Sequence, residues 1–124
     1  RSTQGVSSAA SDVYKRQLHI LFNCAGGSVL EDNKVTDVDM EVWDRTIPLD
    51  LKGPFLCSRH GIPAIIDSGG GAVVNVSSVV ALRGNHPAHV YSSAQGALIS
   101  LTKRVPSEAR KKLLAPYAAV KEIA

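Results

Sequence analysis

The sequence lacks several features that mark other classes of protein. It has no apolar run long enough to cross a bilayer, so we expect no transmembrane helix and no membrane partner. Residues 1–11 are polar and lack the apolar centre of a secretory signal. The two cysteines, Cys24 and Cys57, do not suggest a disulfide framework and suit a reducing compartment. We therefore expect a cytoplasmic protein.

The composition is that of an ordinary soluble domain. The chain has 124 residues, of which 44% are apolar and 20% are charged, enough for one domain of modest size. Its four histidines show no metal-ligand cluster, so we expect no metal site. Trp43 is expected to pack against other residues rather than to serve as a stacking platform.

The excess positive charge lies near the end of the chain. Residues 1–102 hold eight Lys and Arg against nine Asp and Glu, whereas residues 103–124 hold six against two. A basic segment can contact nucleic acid or an acidic partner. However, no aromatic residues are interleaved with the basic ones in residues 103–112. We therefore expect a solvated helix face and no nucleic-acid partner.

Apolar runs and turn residues divide the chain into strands and helices. Residues 1–17 are rich in Ser and Ala without a clear apolar period, and we expect a disordered or artefactual lead-in there. Asp39 can cap a first helix, which Pro48 ends or kinks. The pattern predicts buried strands over residues 18–23 and 72–77, and further helices over 51–66, 91–105 and 107–114.

This alternation of strand and helix is typical of a parallel α/β sheet. Two strands are fewer than the roughly four to six of an open sheet. Further strands must come from a partner chain or from the rest of a larger domain. We therefore expect an α/β fold that is a fragment of a Rossmann-type, doubly wound parallel sheet.

Four short patterns follow one another along these elements. They are Asn23-Cys-Ala-Gly26 after the first strand, Asp50-Leu-Lys-Gly53 in a helical region, Asn75-Val-Ser-Ser78 at the end of the second strand, and Tyr91-Ser-Ser-Ala-Gln95 opening a helix. In order and spacing they resemble the short-chain dehydrogenase/reductase family. The resemblance covers about residues 18–103. We assign residues 18–105, up to the end of the predicted helix, to the catalytic part of the domain.

The resemblance implies an oxidoreductase that uses NAD or NADP and acts on a small alcohol or ketone. Tyr91 matches the family's acid/base tyrosine, and Ser78 matches the serine that orients the substrate oxygen. Asn23, Ala25 and Gly26 match the turn that borders the cofactor. The family also implies a homo-oligomer for the full-length parent, paired through the two helices around the active site.

Two substitutions depart from the family pattern at the site. Gln95 stands where the family has a lysine that lowers the pKa of the tyrosine, and a neutral amide cannot do this. Asp50 stands where an asparagine is usual, and its charge would oppose formation of a tyrosinate nearby. Both changes are expected to make Tyr91 less reactive.

Two further departures concern whole segments. The family's glycine-rich nucleotide loop is not in this sequence, and Gly69-Gly70-Gly71 precedes a strand rather than a helix. After the active-site helix we expect a basic helical tail over residues 106–124, as if the family's next strand had been skipped. These departures leave a second hypothesis beside the oxidoreductase: the chain is a catalytically inactive fragment or a dimerising module.

A hydrolase is a further alternative, with Ser78 paired to His86 or His89. No Gly-x-Ser-x-Gly nucleophile elbow surrounds Ser78. The sequence therefore favours the oxidoreductase over the hydrolase.

Overall fold

A parallel sheet organises the part of the chain that the structure describes. The structure is a computed structural model that describes residues 17–104 and 115–121. In those ranges strands β1 (Ile20–Asn23), β2 (Ala72–Ser78) and β3 (Ala115–Lys121) lie side by side in that order, and both pairs are parallel. The predicted α/β class with a parallel sheet is confirmed.

The helices lie between the strands, as parallel crossovers require. α1 (Met40–Ile47), a π-helical turn (Pro48–Lys52) and α2 (Gly53–Asp67) connect β1 to β2. A short 3-10 turn (Val79–Ala81) and then α3 (His89–Arg104) follow β2. Within the described ranges, no helix is both long and apolar enough to span a membrane.

The core lies on one face of the sheet. Leu21 on β1, Val73 on β2 and Ile65 on α2 are buried together, and Leu21 pairs with Val73 in the strand register. The opposite face of β1 is open, since Ile20 is 62% exposed and Phe22 is 50% exposed. The expectation of a fully buried strand is therefore wrong for β1, because the described helices that contact it cover one side.

The local signals for α1 are confirmed. Asp39 caps the helix, and its Oδ1 accepts a hydrogen bond from the Glu41 backbone N–H (3.0 Å). α1 ends at Ile47, as the proline predicts, and Pro48 begins the π-helical turn that carries the backbone into α2. Because proline has no N–H, Pro48 cannot make the hydrogen bond to the Asp44 carbonyl that a continuing α-helix would require, which accounts for the end of α1 at Ile47.

α2 is more regular than the sequence predicts. Gly61 and Pro63 predict a weak last turn, yet the helix continues to Asp67. Gly61 lies against β1, where a Cβ atom would come 3.0 Å from the Leu21 side chain. Its lack of a side chain is therefore a packing feature, because it lets α2 approach the sheet closely.

β3 is the main correction to the predicted fold. It occupies Ala115–Lys121, within the segment expected to be a helical tail that skips the family's next strand. Its alanines favour a helix locally, but pairing along the whole of β2 supplies its backbone with hydrogen-bond partners. The predicted lead-in, apart from Gln17, and the helical segment over 107–114 lie outside the described residues.

Candidate functional site

The predicted site residues meet at the carboxyl edge of the sheet. Asn23 ends β1 and Ser78 ends β2, and the parallel pairing places both strand ends on the same side. α3 begins over this edge and holds Tyr91 in its first turn. Open α/β sheets bind their ligands at the carboxyl ends of their strands.

Ser78 and Tyr91 are buried side by side. They are 2% and 5% exposed, and the Ser78 hydroxyl lies close enough to the Tyr91 phenol to act on its pKa. Burial raises the pKa of the Tyr91 phenol above its ordinary value, and the charge of Asp50 raises it further, while the Ser78 contact acts to lower it. The phenol therefore stays protonated at neutral pH.

Asp50 lies on the π-helical turn and is 1% exposed. Its Oδ1 atom accepts hydrogen bonds from the Gly27 backbone N–H (2.9 Å) and from Gln95 Nε2 (3.1 Å). Its Oδ2 atom has no hydrogen-bond partner in the described part of the chain. Burial raises the pKa of the Asp50 carboxyl from 3.8 to about 6, although the two hydrogen bonds act to lower it.

Gly26 allows the backbone to pass this close to Asp50. Its φ is +145°, a conformation that L side chains rarely adopt, and a Cβ atom at this position would collide with Asp50 Oδ1. The glycine therefore lets the next residue, Gly27, direct its N–H at the carboxylate.

Gln95 lies one helical turn after Tyr91 on α3 and is 4% exposed. Its Nε2 atom donates to Asp50, whereas its Oε1 atom is buried and has no hydrogen-bond partner among the residues described. Its backbone oxygen accepts a hydrogen bond from Ser77 Oγ (3.0 Å), which attaches the helix to β2. The two residues that depart from the family pattern are therefore in direct contact.

A small cavity of about 80 Å³ lies at this edge of the sheet. It is lined by residues from the turn after β1, from β2 and from α2 and α3. Five of the predicted site residues line it: Asn23, Ala25, Gly26, Tyr91 and Gln95. The other two, Ser78 and Asp50, contact Tyr91 and Gln95 respectively. The structure thus brings all seven predicted site residues into one cluster.

A series of hydrogen bonds between buried polar side chains connects this cluster to β2 and α3. Asn23 Nδ2 donates to Asn75 Oδ1 (2.7 Å), and Asn75 Nδ2 donates to Thr102 Oγ1 (2.9 Å). The Thr102 hydroxyl in turn donates to the Leu98 backbone oxygen (2.8 Å). This series joins β1, β2 and the second half of α3, so that the helix cannot slide along the sheet without breaking buried hydrogen bonds.

Asp32 is a buried residue near the site that no sequence pattern indicated. It lies in the irregular loop after β1 and is 7% exposed. Its two carboxylate oxygens accept hydrogen bonds from the backbone N–H groups of Val90 (3.1 Å) and Tyr91 (2.7 Å). The sequence shows at this position only an acidic residue in a loop. Such residues are too common to indicate a role in the site.

The histidines near Ser78 have other partners. His86 Nδ1 accepts from the Ala88 N–H (3.3 Å), and His89 Nδ1 accepts from the Val35 N–H (3.0 Å). The Ser78 hydroxyl instead accepts from the Val80 N–H (3.4 Å) and contacts Tyr91. These contacts do not form the serine–histidine pair that a hydrolase requires.

Comparison with known proteins agrees with this arrangement of fold and site. A family model described as short chain dehydrogenase matches residues 1–118, a range that includes the expected lead-in and part of the expected tail. The chain is 37% identical over 86 residues to an uncharacterized oxidoreductase of Bacillus subtilis, covering 69% of this chain and 31% of the relative. It is 32% identical over 96 residues to the (3R)-3-hydroxyacyl-CoA dehydrogenase of Mus musculus, covering 77% and 36%.

Solved structures support the same assignment. ElxO with NADP bound superposes with a TM-score of 0.80 at 27% identity, covering 89% of this chain and 44% of that one. The fold is thus that of a Rossmann-type oxidoreductase. The chain belongs to the short-chain dehydrogenase/reductase family. It spans about a third of the length of the curated relatives that it matches.

Proposed function

We propose that this chain supplies the proton-transfer centre of an NAD(P)-dependent oxidoreductase that interconverts a small alcohol and a ketone. The observation that carries the proposal is the convergence of the buried Ser78 and Tyr91 side chains at the carboxyl edge of the sheet. Two hydroxyl donors converging in a largely buried site suit recognition of a carbonyl oxygen.

In the proposed reduction, Ser78 donates a hydrogen bond to the substrate oxygen and so orients it. Tyr91 gives its phenolic proton to that oxygen while the carbonyl carbon gains a hydride. The raised pKa of Tyr91 keeps this proton in place at neutral pH. In the reverse direction a tyrosinate must take the proton, and that form is scarce because burial and the charge of Asp50 oppose it.

The residues present fit part of a nicotinamide cofactor. The Gln95 Oε1 atom is a buried acceptor without a partner in the described ranges, and it suits a ribose hydroxyl. Asn23, Ala25 and Gly26 line the same cavity from the turn after β1. When bound, the nicotinamide supplies or accepts the hydride. The relative ElxO binds NADP, and either NAD or NADP remains compatible with the residues of this chain.

The proposal is tested by measuring the reduction of small ketones with NADH and with NADPH. Tyr91→Phe should lower the rate by roughly a hundredfold or more, because it removes the proton donor. Ser93→Ala is the matched control, since Ser93 is an exposed hydroxyl on the same helix that bonds the His89 backbone oxygen. Equal rates for the Tyr91→Phe variant and the control would refute the proton-transfer role.

A catalytically inactive member of the family is the second candidate. Two observations favour it: the raised pKa of Tyr91, and the neutral Gln95 amide that donates to Asp50. In that case the chain would act as a dimerising module through α1, α2 and α3. Exposed apolar residues of α1, Met40 and Trp43, line a cavity of about 630 Å³ beside the loop before α3.

Two measurements on the 124-residue chain separate the candidates. Titration with NADH and NADPH, followed by nicotinamide fluorescence, should show weak or no binding if the chain acts without cofactor. Micromolar binding would instead support the oxidoreductase. Sedimentation of the wild type and of Trp43→Ala should show a dimer that the substitution weakens if α1 mediates pairing, and a monomer in both would remove the dimerising module.

A further inference from the structure

Asp32 holds the start of α3 from a distant part of the chain. Its Oδ1 atom accepts from the Val90 N–H at 3.1 Å, and its Oδ2 atom accepts from the Tyr91 N–H at 2.7 Å. These bonds join residues 58 and 59 positions apart in the sequence. The carboxylate therefore satisfies two of the backbone donors that the first turn of any helix leaves without an intrahelical acceptor.

The surrounding loop reinforces this connection. The Asn33 backbone oxygen accepts from the His89 N–H (3.2 Å), and the Val35 N–H donates to His89 Nδ1 (3.0 Å). Four hydrogen bonds thus join residues 32–35 to the first turn of α3. A carboxylate at a helix N-terminus also interacts favourably with the helix dipole, and burial strengthens that interaction.

The same turn contains the acid/base candidate. The Tyr91 backbone N–H, which makes the shorter of the two Asp32 bonds, is in the residue whose phenol contacts Ser78. Displacement of this backbone by the loss of its anchor would move the phenol away from a hydroxyl that β2 holds in place. We propose that Asp32 is a positioning residue that sets the distance between the Tyr91 phenol and Ser78; its catalytic meaning rests on the proposed function.

An ordinary structural cap is the competing explanation, and Asp39 provides the comparison. Asp39 is exposed and caps its own helix, α1, through one local hydrogen bond to Glu41. Loss of either cap should lower the free energy of unfolding. Stability alone therefore does not separate the two explanations. Only the loss of Asp32 should also change the contact between Ser78 and Tyr91.

The test measures that contact directly in the 124-residue chain. With tyrosine labelled by ¹³C at Cζ, the NMR shift of the Tyr91 signal is recorded at neutral pH with and without Ser78→Ala, and Tyr91→Phe assigns the signal. Ser78→Ala should shift the signal in the wild type and in Asp39→Ala. In Asp32→Ala the same substitution should have no effect, because the phenol has already left Ser78.

A shift of equal size in Asp32→Ala and in the wild type would overturn the positioning role. If Asp32→Ala does not fold, Asp32→Asn keeps one acceptor oxygen and should retain less than half of the wild-type shift, and an undiminished shift there would equally overturn it. This measurement needs no cofactor and no turnover. A chain without reductase activity would therefore refute the proposed function while leaving the effect of Asp32 on Tyr91 to be decided by the shift.

Discussion

Replacing Asp50 by asparagine should stabilise the protein at neutral pH. The buried carboxyl has a folded-state pKa of about 6, against 3.8 for the ordinary group. Below pH 3.8 it is protonated in both the folded and the unfolded state and has no effect on the pH dependence. As the pH rises through this interval, the unfolded chain releases the proton while the folded chain retains it, so stability falls.

The size of the effect follows from that interval. A difference between 3.8 and about 6 corresponds to roughly 3 kcal/mol of stability lost by pH 7. Asp50→Asn removes the charge and keeps an oxygen that can accept from Gly27 and Gln95. Its N–H₂ group takes the position of Oδ2, which has no hydrogen-bond partner among the described residues, so the substitution breaks no existing bond on that side.

Urea unfolding at pH 4, 5, 6 and 7 measures the difference in the free energy of unfolding. We expect the variant to match the wild type near pH 4 and to exceed it by roughly 3 kcal/mol at pH 7. Asp44→Asn is the control, because it removes an exposed carboxylate from the neighbouring helix α1. A difference between Asp50→Asn and wild type that stays constant with pH would refute the buried, proton-binding state of Asp50.

Local features of the sequence predicted the helix boundaries and the placement of Ser78 beside Tyr91 well. The Asp39 cap depends on its immediate neighbours, and the structure confirms it. The spacing of Ser78 and Tyr91 also brings the two side chains into contact, because one ends a strand and the other opens the helix that returns over that strand. In each case the relevant interaction is set by the local path of the chain.

Such local patterns could not predict interactions between distant parts of the chain. The Gln95–Asp50 hydrogen bond joins residues 45 positions apart, so the sequence showed two separate departures rather than one contacting pair. Asp32 was hidden in an irregular loop, because its acceptors become meaningful only when the start of α3 lies beside it. β3 was missed because its strand conformation depends on pairing with β2.

Two substitutions test the Asp50 environment from its other sides. Gln95→Lys should lower the pKa of the Asp50 carboxyl below about 6, because an ammonium replaces an amide that already lies 3.1 Å away. Carboxyl ¹³C NMR measures this, and a midpoint that stays near 6 would contradict it. Under the proposed function, the same positive charge one helical turn from Tyr91 should also favour the tyrosinate and so raise turnover at neutral pH. Gly26→Ala should lower the free energy of unfolding by roughly 1–3 kcal/mol, since it combines a strained φ with a collision at Asp50. Gly27→Ala is the matched control, because nothing lies within 4 Å of a Cβ atom there. Equal urea midpoints for the two variants would show that the turn after β1 does not pack against the carboxylate.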